Sequence, residues 1–481
     1  MKLSNPQLLQ NEAFVAGEWR QTVQRIDVNN PSTGELLAQV ADCTRDDAGQ
    51  AIEAAGPAQK SWAARTAKDR AQVLRRWFDL IQTNSDDLAT ILTAEMGKPW
   101  AEAKGEILYG ASFIEWFAEE AKRVYGETIP GHQPDKRLLV IRQPVGIVGA
   151  ITPWNFPNAM ITRKVAPALA AGCAIIVKPA SETPLSALAL ACLAEQAGVP
   201  KGVLSVLPSS DSAGMGQEFC ENPAMRKISF TGSTQVGRIL MRQGADQIKK
   251  LSLELGGNAP FIVFDDADLD AAVEGAILSK FRNAGQTCVC TNRIYVQDSI
   301  YDAFTGRLTD AVARLPVGDG FAKDSAIGPL ISDAAIRKVR DHIADATAKG
   351  ASLTTGGDLH ELGGTFFQPT VLRDVTADMA VAREETFGPV APVFRFQTLD
   401  EVVEAANDTE FGLASYVYTR DLGRVWQMME RLEYGMVGVN TGLISTEVAP
   451  FGGVKQSGIG REGSRHGIED YLELKYCCMS I

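Results

Sequence analysis

Short apolar runs alternate with amphipathic helical segments from Val145 onwards. The runs VGIVGAIT, AIIVK, VLSVL and RKISF are each followed by a segment whose apolar residues have helical spacing. A second series begins at Ala259 with APFIVF and continues through ASYVYT to MVGVN. This alternation is typical of βαβ units, in which helices cover both faces of a parallel sheet. The pattern predicts the α/β class, with two doubly wound Rossmann-like domains in tandem.

The segments outside these two series predict a helical N-terminal part and a separate β extension. SDDLATILTAEMG has helical apolar spacing and ends at Gly97, which forms a helix stop with the following Lys98 and Pro99. Segment 127–144 is polar, contains prolines and then becomes strand-like. The C-terminal YLELKYCCMSI is strand-like and isolated, so we expect it to pair elsewhere, with a neighbouring subunit as the candidate partner.

Composition and charge exclude several classes of protein. The 481 residues include 47 basic and 59 acidic side chains, a net charge of −12, which argues against binding to nucleic acid or to an acidic membrane surface. No export signal and no apolar stretch of about 18 residues is visible, so we expect a cytoplasmic protein. Eight cysteines without a C-x-x-C pair and only four histidines argue against a metal site and for free thiols.

Three residues carry candidate catalytic chemistry. Cys288 follows Gly-Gln-Thr in a polar loop, where a thiol acts as an accessible nucleophile or packs as a small hydrophobic residue. Glu254 lies in an apolar stretch, which raises a carboxyl pKa and suits a general base. Taken alone, this segment favours the simpler interpretation, a carboxylate that pairs with an arginine or caps a turn. Asn155 stands between Pro153 and Pro157, where its amide donates to an oxyanion or closes a turn.

Two further segments have the features of an anion or nucleotide site. FTGSTQVG follows the strand RKISF, and Gly232 permits a tight turn before a helix N-terminus at Ser233 that attracts anions. Lys178 ends the strand AIIVK at the sheet edge where doubly wound folds bind nucleotides, although a surface lysine without a task is the alternative. No Walker-type phosphate loop is present, which argues against a P-loop nucleotidase.

Together these residues belong to seven ordered motifs that resemble those of the aldehyde dehydrogenase superfamily along essentially the whole chain. The motifs are PWNFP (153–157), KPASETP (178–184), FTGST (230–234), LELGG (253–257), FRNAGQTC (281–288), EETFGPV (384–390) and PFGGVKQSGIGRE (450–462). The resemblance implies a homodimer or homotetramer with two Rossmann-like domains and a small β oligomerisation extension. The implied parts are a dinucleotide-binding domain of residues 1–126 and 145–253, a catalytic domain of residues 254–445, and an oligomerisation segment of residues 127–144 and 465–481.

The resemblance also implies a role for each motif residue. In this superfamily the cysteine matching Cys288 attacks the aldehyde carbonyl, and the oxyanion is held by the amide matching Asn155 and by the cysteine N–H. Hydride transfer to a nicotinamide cofactor leaves a thioester, which is hydrolysed by water activated by the residue matching Glu254. The residues that match cofactor contacts are Trp154, Lys178, Ser181, Gly232, Ser233, Glu385 and Phe387.

Ser181 decides the predicted cofactor. Superfamily members strict for NAD usually carry a glutamate there, which repels a 2′-phosphate, whereas Ser181 removes that repulsion and Lys178 supplies a cation. We therefore predict NADP as the preferred cofactor and NAD as an allowed one, although Glu182 restores some negative charge. The turn at Pro208 and Ser209 departs from the glycine that the superfamily commonly has at this point.

Within the superfamily, segments 111–138 and 159–173 are most similar to the bacterial succinate-semialdehyde dehydrogenases of 4-aminobutyrate degradation. That similarity implies a small semialdehyde substrate whose distal carboxylate is bound by Arg163, Arg282 and Ser445. Structural salt bridges are the alternative for both arginines. Glutarate semialdehyde remains an alternative substrate, because one methylene gives only ~1–3 kcal/mol of discrimination.

Other classes of protein share part of this pattern. A cysteine hydrolase or acyltransferase explains Cys288 and Asn155 but leaves the cofactor motifs unused. A CoA-acylating dehydrogenase has no need of Glu254 as a base. A non-catalytic relative has no need of Cys288, Glu254 and Asn155.

Cys290 lies two residues after Cys288. It either forms a reversible disulfide with Cys288 under oxidant or packs as a small residue. Peroxide inactivation that thiols cannot reverse in a Cys290→Ala protein would indicate the disulfide.

Overall fold

The computed structural model describes residues 1–481, which form fourteen α-helices and twenty β-strands. The helices are α1 Arg45–Ala63, α2 Ala67–Thr83, α3 Ser85–Met96, α4 Trp100–Glu120, α5 Ala159–Ala171, α6 Pro184–Ala197, α7 Ser212–Glu221, α8 Thr234–Gly244, α9 Leu269–Phe281, α10 Tyr301–Val312, α11 Asp333–Ala348, α12 Ala380–Arg383, α13 Leu399–Asn407 and α14 Leu422–Arg431. The strands are β1 Ala13–Val15, β2 Glu18–Arg20, β3 Arg25–Asn29, β4 Leu36–Ala41, β5 Glu127–Ile129, β6 Lys136–Pro144, β7 Ile147–Ile151, β8 Ala174–Lys178, β9 Leu204–Val206, β10 Met225–Thr231, β11 Lys250–Glu254, β12 Ala259–Val263, β13 Thr291–Gln297, β14 Ser352–Thr355, β15 Thr370–Arg373, β16 Val390–Phe396, β17 Ala414–Tyr418, β18 Met436–Val439, β19 Gly458–Ile459 and β20 Leu472–Ser480.

The first large sheet has eight strands in the order β19-β11-β10-β7-β8-β9-β1-β2. Its five central strands are parallel, and β19 and β1 join them antiparallel. The chain runs from β7 to β8 and β9 on one side and then to β10 and β11 on the other, so the strand order reverses between β7 and β10. Doubly wound sheets bind ligands outside the carboxyl ends of their strands at such a switch point.

The second large sheet has seven strands in the order β14-β15-β16-β13-β12-β17-β18. All of its pairs are parallel except the edge pair of β14 with β15. Here β13 and β16 extend the sheet on one side of β12, and β17 and β18 extend it on the other. The predicted α/β class with two doubly wound sheets is confirmed.

Apolar residues on both faces of the first sheet explain its strand sequences. Ile147 packs in one hydrophobic cluster with residues of α1, α7 and α8, while the adjacent Val148 packs in another with residues of α2 to α6. Ile176 and Ile175 of β8 divide between the two clusters in the same way. Because neighbouring side chains point to opposite faces, a strand buried on both faces needs an uninterrupted apolar run.

The β extension is a three-stranded sheet in the order β20-β6-β5. β20 pairs antiparallel with β6 of the same chain over its whole length, from Leu472 opposite Pro144 to Ser480 opposite Lys136. The C-terminal strand therefore pairs within its own chain, and its other edge has no strand beside it, so pairing of that edge with a neighbouring subunit stays a prediction. This ladder joins segments more than 300 residues apart, so no local pattern in the sequence reveals it.

The loop between α3 and α4 has the predicted helix stop and lies against the second half of the chain. Gly97 has φ +90°, and a Cβ there would lie 2.8 Å from a ring carbon of Pro31 and 2.6 Å from one of Pro329. Only glycine combines that dihedral with so close an approach. Trp100 N–H donates to Gly320 O at 2.8 Å, which fixes the start of α4. No helix in the chain has both the length and the apolar character needed to cross a bilayer.

Candidate active site

Two cavities meet between the large sheets. The first, of about 250 Å³, is lined by residues that follow β7 and β10, end β11, or precede β12, β13 and β16. The second, of about 290 Å³, lies between α4, α5 and the loop before β13. Three residues line both cavities and mark their junction: Phe156, Met160 and Cys288.

The structure brings most of the sequence-predicted residues to these two cavities. The first cavity is lined by Trp154, Asn155, Gly232, Ser233, Glu254, Cys288, Glu385 and Phe387. The second is lined by Arg163, Arg282, Cys288 and Ser445. Three predicted residues line neither cavity: Lys178, Ser181 and Cys290.

Cys288 lies in a loop with unusual backbone geometry. Asn283 and Ala284 both have positive φ, 53° and 54°, which costs non-glycine residues of order 1 kcal/mol each. Burial raises the pKa of the Cys288 thiol to about 12, although the nearby Arg163 lowers it. The thiol is therefore protonated at neutral pH. The Cys288 N–H donates to no protein acceptor and remains available to a ligand.

Asn155 is held rigidly beside this loop. The side chain is 5% exposed, and its Nδ2 donates to Gln286 O at 3.0 Å. Its main-chain oxygen accepts from Asn283 Nδ2 at 3.0 Å. One N–H of the Asn155 amide is left without a protein acceptor, since an amide nitrogen has two. This N–H and the Cys288 N–H are the two donors available for an oxyanion.

Glu254 ends β11 as a buried carboxyl group without an ion pair. It is 4% exposed, and Oε2 has no hydrogen-bond partner. Burial raises the Glu254 pKa well above its usual value, and the negative charge of Glu462 adds to the effect, whereas Arg163 opposes it. Glu254 is thus buried, as its apolar segment predicts, but it has charged neighbours as well as apolar ones. A carboxyl group with a raised pKa in a cavity shared with a thiol is suited to accept a proton.

The outer part of the first cavity combines aromatic walls with a carboxyl group. The Trp154 and Phe387 rings meet edge to face, with centroids 5.6 Å apart. Glu385 Oε1 accepts the Gly257 N–H at 3.2 Å, and burial raises the Glu385 pKa to about 7. Phe387 has a positive φ of 53°, a second strained position at the cavity. These groups provide a flat apolar slot beside an oxygen that can accept from a sugar hydroxyl.

The helix N-terminus predicted after β10 is present. Ser233 is the N-cap of α8, and its side chain accepts from Val236 N. A Cβ on Gly232 would lie 2.4 Å from the Phe230 ring, so only glycine fits where β10 turns into the helix. The first N–H groups of α8 lie next to this cavity, where a helix N-terminus attracts negative charge.

Lys178 and Ser181 lie at the carboxyl end of β8, outside both cavities. Lys178 is 3% exposed and Nζ donates to Ser212 Oγ at 2.7 Å, so it is not a free surface lysine. Burial lowers the Lys178 pKa. Ser181 Oγ donates to Glu182 at 3.2 Å. In the turn that departs from the superfamily pattern, Ser210 N–H donates to Asp42 at 2.8 Å.

The two arginines of the second cavity have different partners. Arg163 is buried, with Nε 2.5 Å from Glu462 Oε2 and its guanidinium 4.1 Å from the centroid of Phe451. Its Nη2 has no hydrogen-bond partner. Arg282 makes no ion pair within 4.0 Å and lies over the Phe156 ring at 5.4 Å. The structural salt bridge weighed for both arginines is therefore present for Arg163 alone.

Cys290 lines neither cavity. It is 1% exposed, and its Sγ donates to Lys280 O at 3.0 Å. Burial raises its thiol pKa. This environment favours a packing role over a reactive one.

Sequence reasoning missed several polar residues around the cavities. Glu462 binds Arg163 and also Lys164, whose Nζ is 2.5 Å from Glu462 Oε1. The Tyr109 hydroxyl is buried without a partner at the second cavity. Glu462 ends the motif PFGGVKQSGIGRE, so its position in a motif was a usable signal. Tyr109 had no such signal, because aromatic residues on a helix are usually core residues.

A thiol nucleophile, an unpaired carboxyl group and two free N–H donors in one cavity define an enzyme that forms covalent intermediates on cysteine. The aldehyde dehydrogenase family model matches residues 19–477. The chain is 62% identical to a glutarate-semialdehyde dehydrogenase of Pseudomonas aeruginosa, over 100% of this chain and 99% of the relative. It is 61% identical to succinate-semialdehyde dehydrogenase (NADP(+)) of Escherichia coli, over 100% of both.

A solved structure has the same fold. The succinate-semialdehyde dehydrogenase of Burkholderia pseudomallei superposes with a TM-score of 0.99 at 62% identity and covers 100% of both chains. The chain belongs to the aldehyde dehydrogenase family. The superfamily resemblance is thereby confirmed, and with it the class of enzyme, an NAD(P)-dependent aldehyde dehydrogenase.

The raised pKa of the half-buried Cys288 thiol predicts slow alkylation of the free enzyme at neutral pH. With a thiol pKa of about 12, the thiolate fraction rises about tenfold per pH unit between about pH 7 and 9. We expect the rate of inactivation by iodoacetamide to rise by about that factor without a plateau. A plateau below about pH 8 would contradict a thiol that is protonated at neutral pH. A Cys290→Ala variant serves as the control and should show the same profile.

Proposed function

We propose that the enzyme oxidises succinate semialdehyde to succinate with NADP. The observation that carries this proposal is the second cavity, which is lined by Cys288 and by two guanidinium groups, those of the buried Arg163 and the half-buried Arg282. A semialdehyde fits this cavity because its neutral aldehyde group would lie at the Cys288 thiol and its carboxylate would lie at the two arginines. Relatives named for semialdehyde substrates support the same substrate class.

The first cavity fits the nicotinamide end of a dinucleotide. Trp154 and Phe387 form a flat apolar slot, Glu385 keeps one oxygen free for a ribose hydroxyl, and the α8 N-terminus at Ser233 suits a pyrophosphate. When bound, the cofactor supplies the acceptor for the aldehyde hydride. The protein fixes the reacting carbon at Cys288, where this cavity meets the substrate cavity.

Glu254 and Cys288 act together in the first half of the reaction. The thiol is protonated, so it needs a base before it attacks the carbonyl carbon. Glu254 accepts that proton, because its own raised pKa brings its basicity closer to that of the thiolate. The carbonyl oxygen becomes an oxyanion that accepts from the free N–H of Asn155 and from the Cys288 N–H.

Glu254 acts again after the hydride has left. The acyl group is then a thioester on Cys288, and water must attack it to release the acid. The proton that Glu254 took from the thiol passes to solvent first. Glu254 Oε2, which has no protein partner, is then free to bind and deprotonate the attacking water, and the thiolate that leaves takes up a proton again. A CoA-acylating enzyme would need no such base, and a simple cysteine hydrolase would need no dinucleotide cavity. The first alternative therefore leaves Glu254 unused, and the second leaves the first cavity unused.

Arg282 and Arg163 bind the distal carboxylate with Ser445. Arg163 Nη2 lacks a partner and Arg282 has no ion pair, so both have donors available. Ser445 lines the same cavity and makes no hydrogen bond within the protein. Glutarate semialdehyde is the second candidate substrate, since a relative of 62% identity carries that name and the two acids differ by one methylene.

Ser181 and Lys178 favour NADP over NAD. A seryl side chain leaves room and removes the negative charge that rejects a 2′-phosphate, and the buried Lys178 ammonium adds a cation. Asp42 is engaged by Ser210 at 2.8 Å, which holds that carboxylate in place at the edge of the site. Glu182 is close to Ser181, so NAD remains acceptable.

The proposal also assigns the domains, the assembly and the cellular location of the enzyme. Residues 1–126 and 145–253 form the dinucleotide-binding domain, residues 254–445 the catalytic domain, and residues 127–144 with 465–481 the oligomerisation segment of a homodimer or homotetramer. Exposed apolar side chains on β5, β6 and β20 support a buried role for that sheet in an assembly: Ile129, Ile141, Leu474, Tyr476 and Met479. Eight free cysteines fit the cytoplasm, and the substrate fits 4-aminobutyrate degradation.

Loss of the Arg282 charge should weaken binding of carboxylated aldehydes only. For Arg282→Met we expect the KM of succinate semialdehyde to rise about 10- to 100-fold, because a charge-assisted hydrogen bond contributes ~1.5–3 kcal/mol. The KM of butanal should change less than about threefold. Formation of NADPH at 340 nm measures both.

An Arg307→Met variant is the matched control for this experiment. Arg307 lies on α10, is exposed, pairs with Asp270 and lines neither cavity. It should leave the KM of both aldehydes unchanged. Equal use of butanal and succinate semialdehyde by the unchanged enzyme, or equal effects of Arg282→Met on both, would contradict the proposed substrate.

A carboxylate at position 181 should reverse the cofactor preference. For Ser181→Glu we expect the ratio of kcat/KM with NADP to that with NAD to fall about 100-fold, because two like charges are brought together. Ser181→Ala, which adds no charge, should change the ratio less than about threefold. Steady-state kinetics with each cofactor measure the ratio. An unchanged ratio in Ser181→Glu would place the 2′-phosphate elsewhere.

A further inference from the structure

A fully buried ion pair lies behind Asn155 and takes no part in the mechanism described above. Lys98 Nζ and Glu106 Oε2 are 2.6 Å apart, and each side chain is only 1% exposed. Lys98 lies in the loop between α3 and α4, and Glu106 lies two turns into α4. Glu106 also lines the second cavity.

Lys98 binds the backbone of Asn155 directly. Its Nζ donates to Asn155 O at 2.7 Å and lies over the Phe156 ring, 3.8 Å from the centroid. The same carbonyl accepts from Asn283 Nδ2 at 3.0 Å. Both lone pairs of Asn155 O are therefore used, one by α3–α4 and the other by the Cys288 loop.

Glu106 holds the segment immediately after Asn155. Its Oε1 accepts the N–H groups of Asn158 at 2.9 Å and Ala159 at 3.2 Å, where α5 begins. Asn158, the N-cap of α5, makes no side-chain capping bond of its own. A carboxylate from another helix therefore caps α5, and its charge is favourable at this helix N-terminus.

The position of Lys98 is itself set by packing across the cleft. Gly97 is wedged between Pro31 and Pro329, and Trp100 N–H donates to Gly320 O at 2.8 Å. The α3–α4 loop therefore cannot shift without moving both halves of the chain. Through the bonds of Lys98 to Asn155 O and of Glu106 to the Asn158 N–H, this fixed loop holds Asn155 in place.

Stability alone does not explain this arrangement. Two charges buried together lose their hydration, and a pair of apolar side chains of similar volume is often as stable or more stable. What an apolar pair cannot provide is a directed bond to the Asn155 carbonyl and to the first N–H groups of α5. Such directed bonds fix an orientation, which an oxyanion donor requires.

We propose that Lys98 and Glu106 are positioning residues that hold the Asn155 amide in register with Cys288 for the oxyanion. The proposal rests on the aldehyde oxidation proposed above. Neither residue touches the reacting atoms, and both act through Asn155.

A double-mutant cycle tests this directly. Lys98→Met should lower kcat about 10- to 100-fold and change the KM of succinate semialdehyde less than about threefold, since a displaced donor weakens the transition state more than the bound substrate. In an Asn155→Ala background the same substitution should have no further effect on kcat. NADPH formation measures all four proteins, and thermal melting by circular dichroism shows that each is folded.

The control is Lys104→Met, which removes a lysine six residues further on. Lys104 pairs with Asp86 between α4 and α3 and has no contact with residues 155–159. It should leave kcat unchanged in both backgrounds. If Lys98→Met does not fold, Glu106→Gln replaces it in the cycle, because an amide keeps one acceptor for the α5 N–H groups and loses the charge.

If Lys98→Met lowers kcat by the same factor in the Asn155 and the Asn155→Ala backgrounds, its role is merely structural. If Lys98→Met leaves kcat unchanged, Lys98 has no role in positioning Asn155. Either result overturns the inference while leaving the proposed reaction intact. Failure of the unchanged enzyme to oxidise any aldehyde would instead overturn the proposed function, and this inference with it.

Discussion

The site depends on keeping a thiol and an unpaired carboxyl group in a cleft with little water. Burial is the largest influence on both groups, and it raises the pKa of Cys288 to about 12 and that of Glu254 above its usual value. Neither group is reactive on its own in that state. The thiol needs the carboxylate as base, and the resulting oxyanion needs fixed donors, so the surrounding structure must hold every partner in place.

Several features of the fold that cost free energy of folding hold these groups in place. The loop to Cys288 contains two consecutive non-glycine residues with positive φ, Asn283 and Ala284. Asn155 is bound through both its carbonyl and its amide. Glu462 binds Arg163 of the second cavity and the adjacent Lys164, both on α5. Strain and buried charge at these points are balanced by the two packed sheets on either side of the cleft.

Local patterns in the sequence predicted the sheets and most of the residues that line the two cavities, because both have local causes. Uninterrupted apolar runs follow from strands buried on both faces, and Gly97 ends α3 through its own backbone freedom. Contacts between distant segments left no such trace. The pairing of β20 with β6, the Arg163 salt bridge and the Lys98 contact with Asn155 join residues 57 to 344 positions apart, a separation at which only tertiary packing decides the contact.

The covalent acyl-enzyme is the most direct evidence to seek. Glu254→Gln removes the base for both the attack and the hydrolysis, so NADPH should form slowly from succinate semialdehyde and NADP, and each NADPH formed should leave a succinyl thioester on Cys288 that water does not release. Rapid acid quench and peptide mass spectrometry should find that acyl mass on the peptide containing Cys288 and Cys290, with fragmentation placing it on Cys288. An acyl group on another residue, or NADPH formed in this variant with no acylated peptide, would contradict oxidation through the Cys288 thiol.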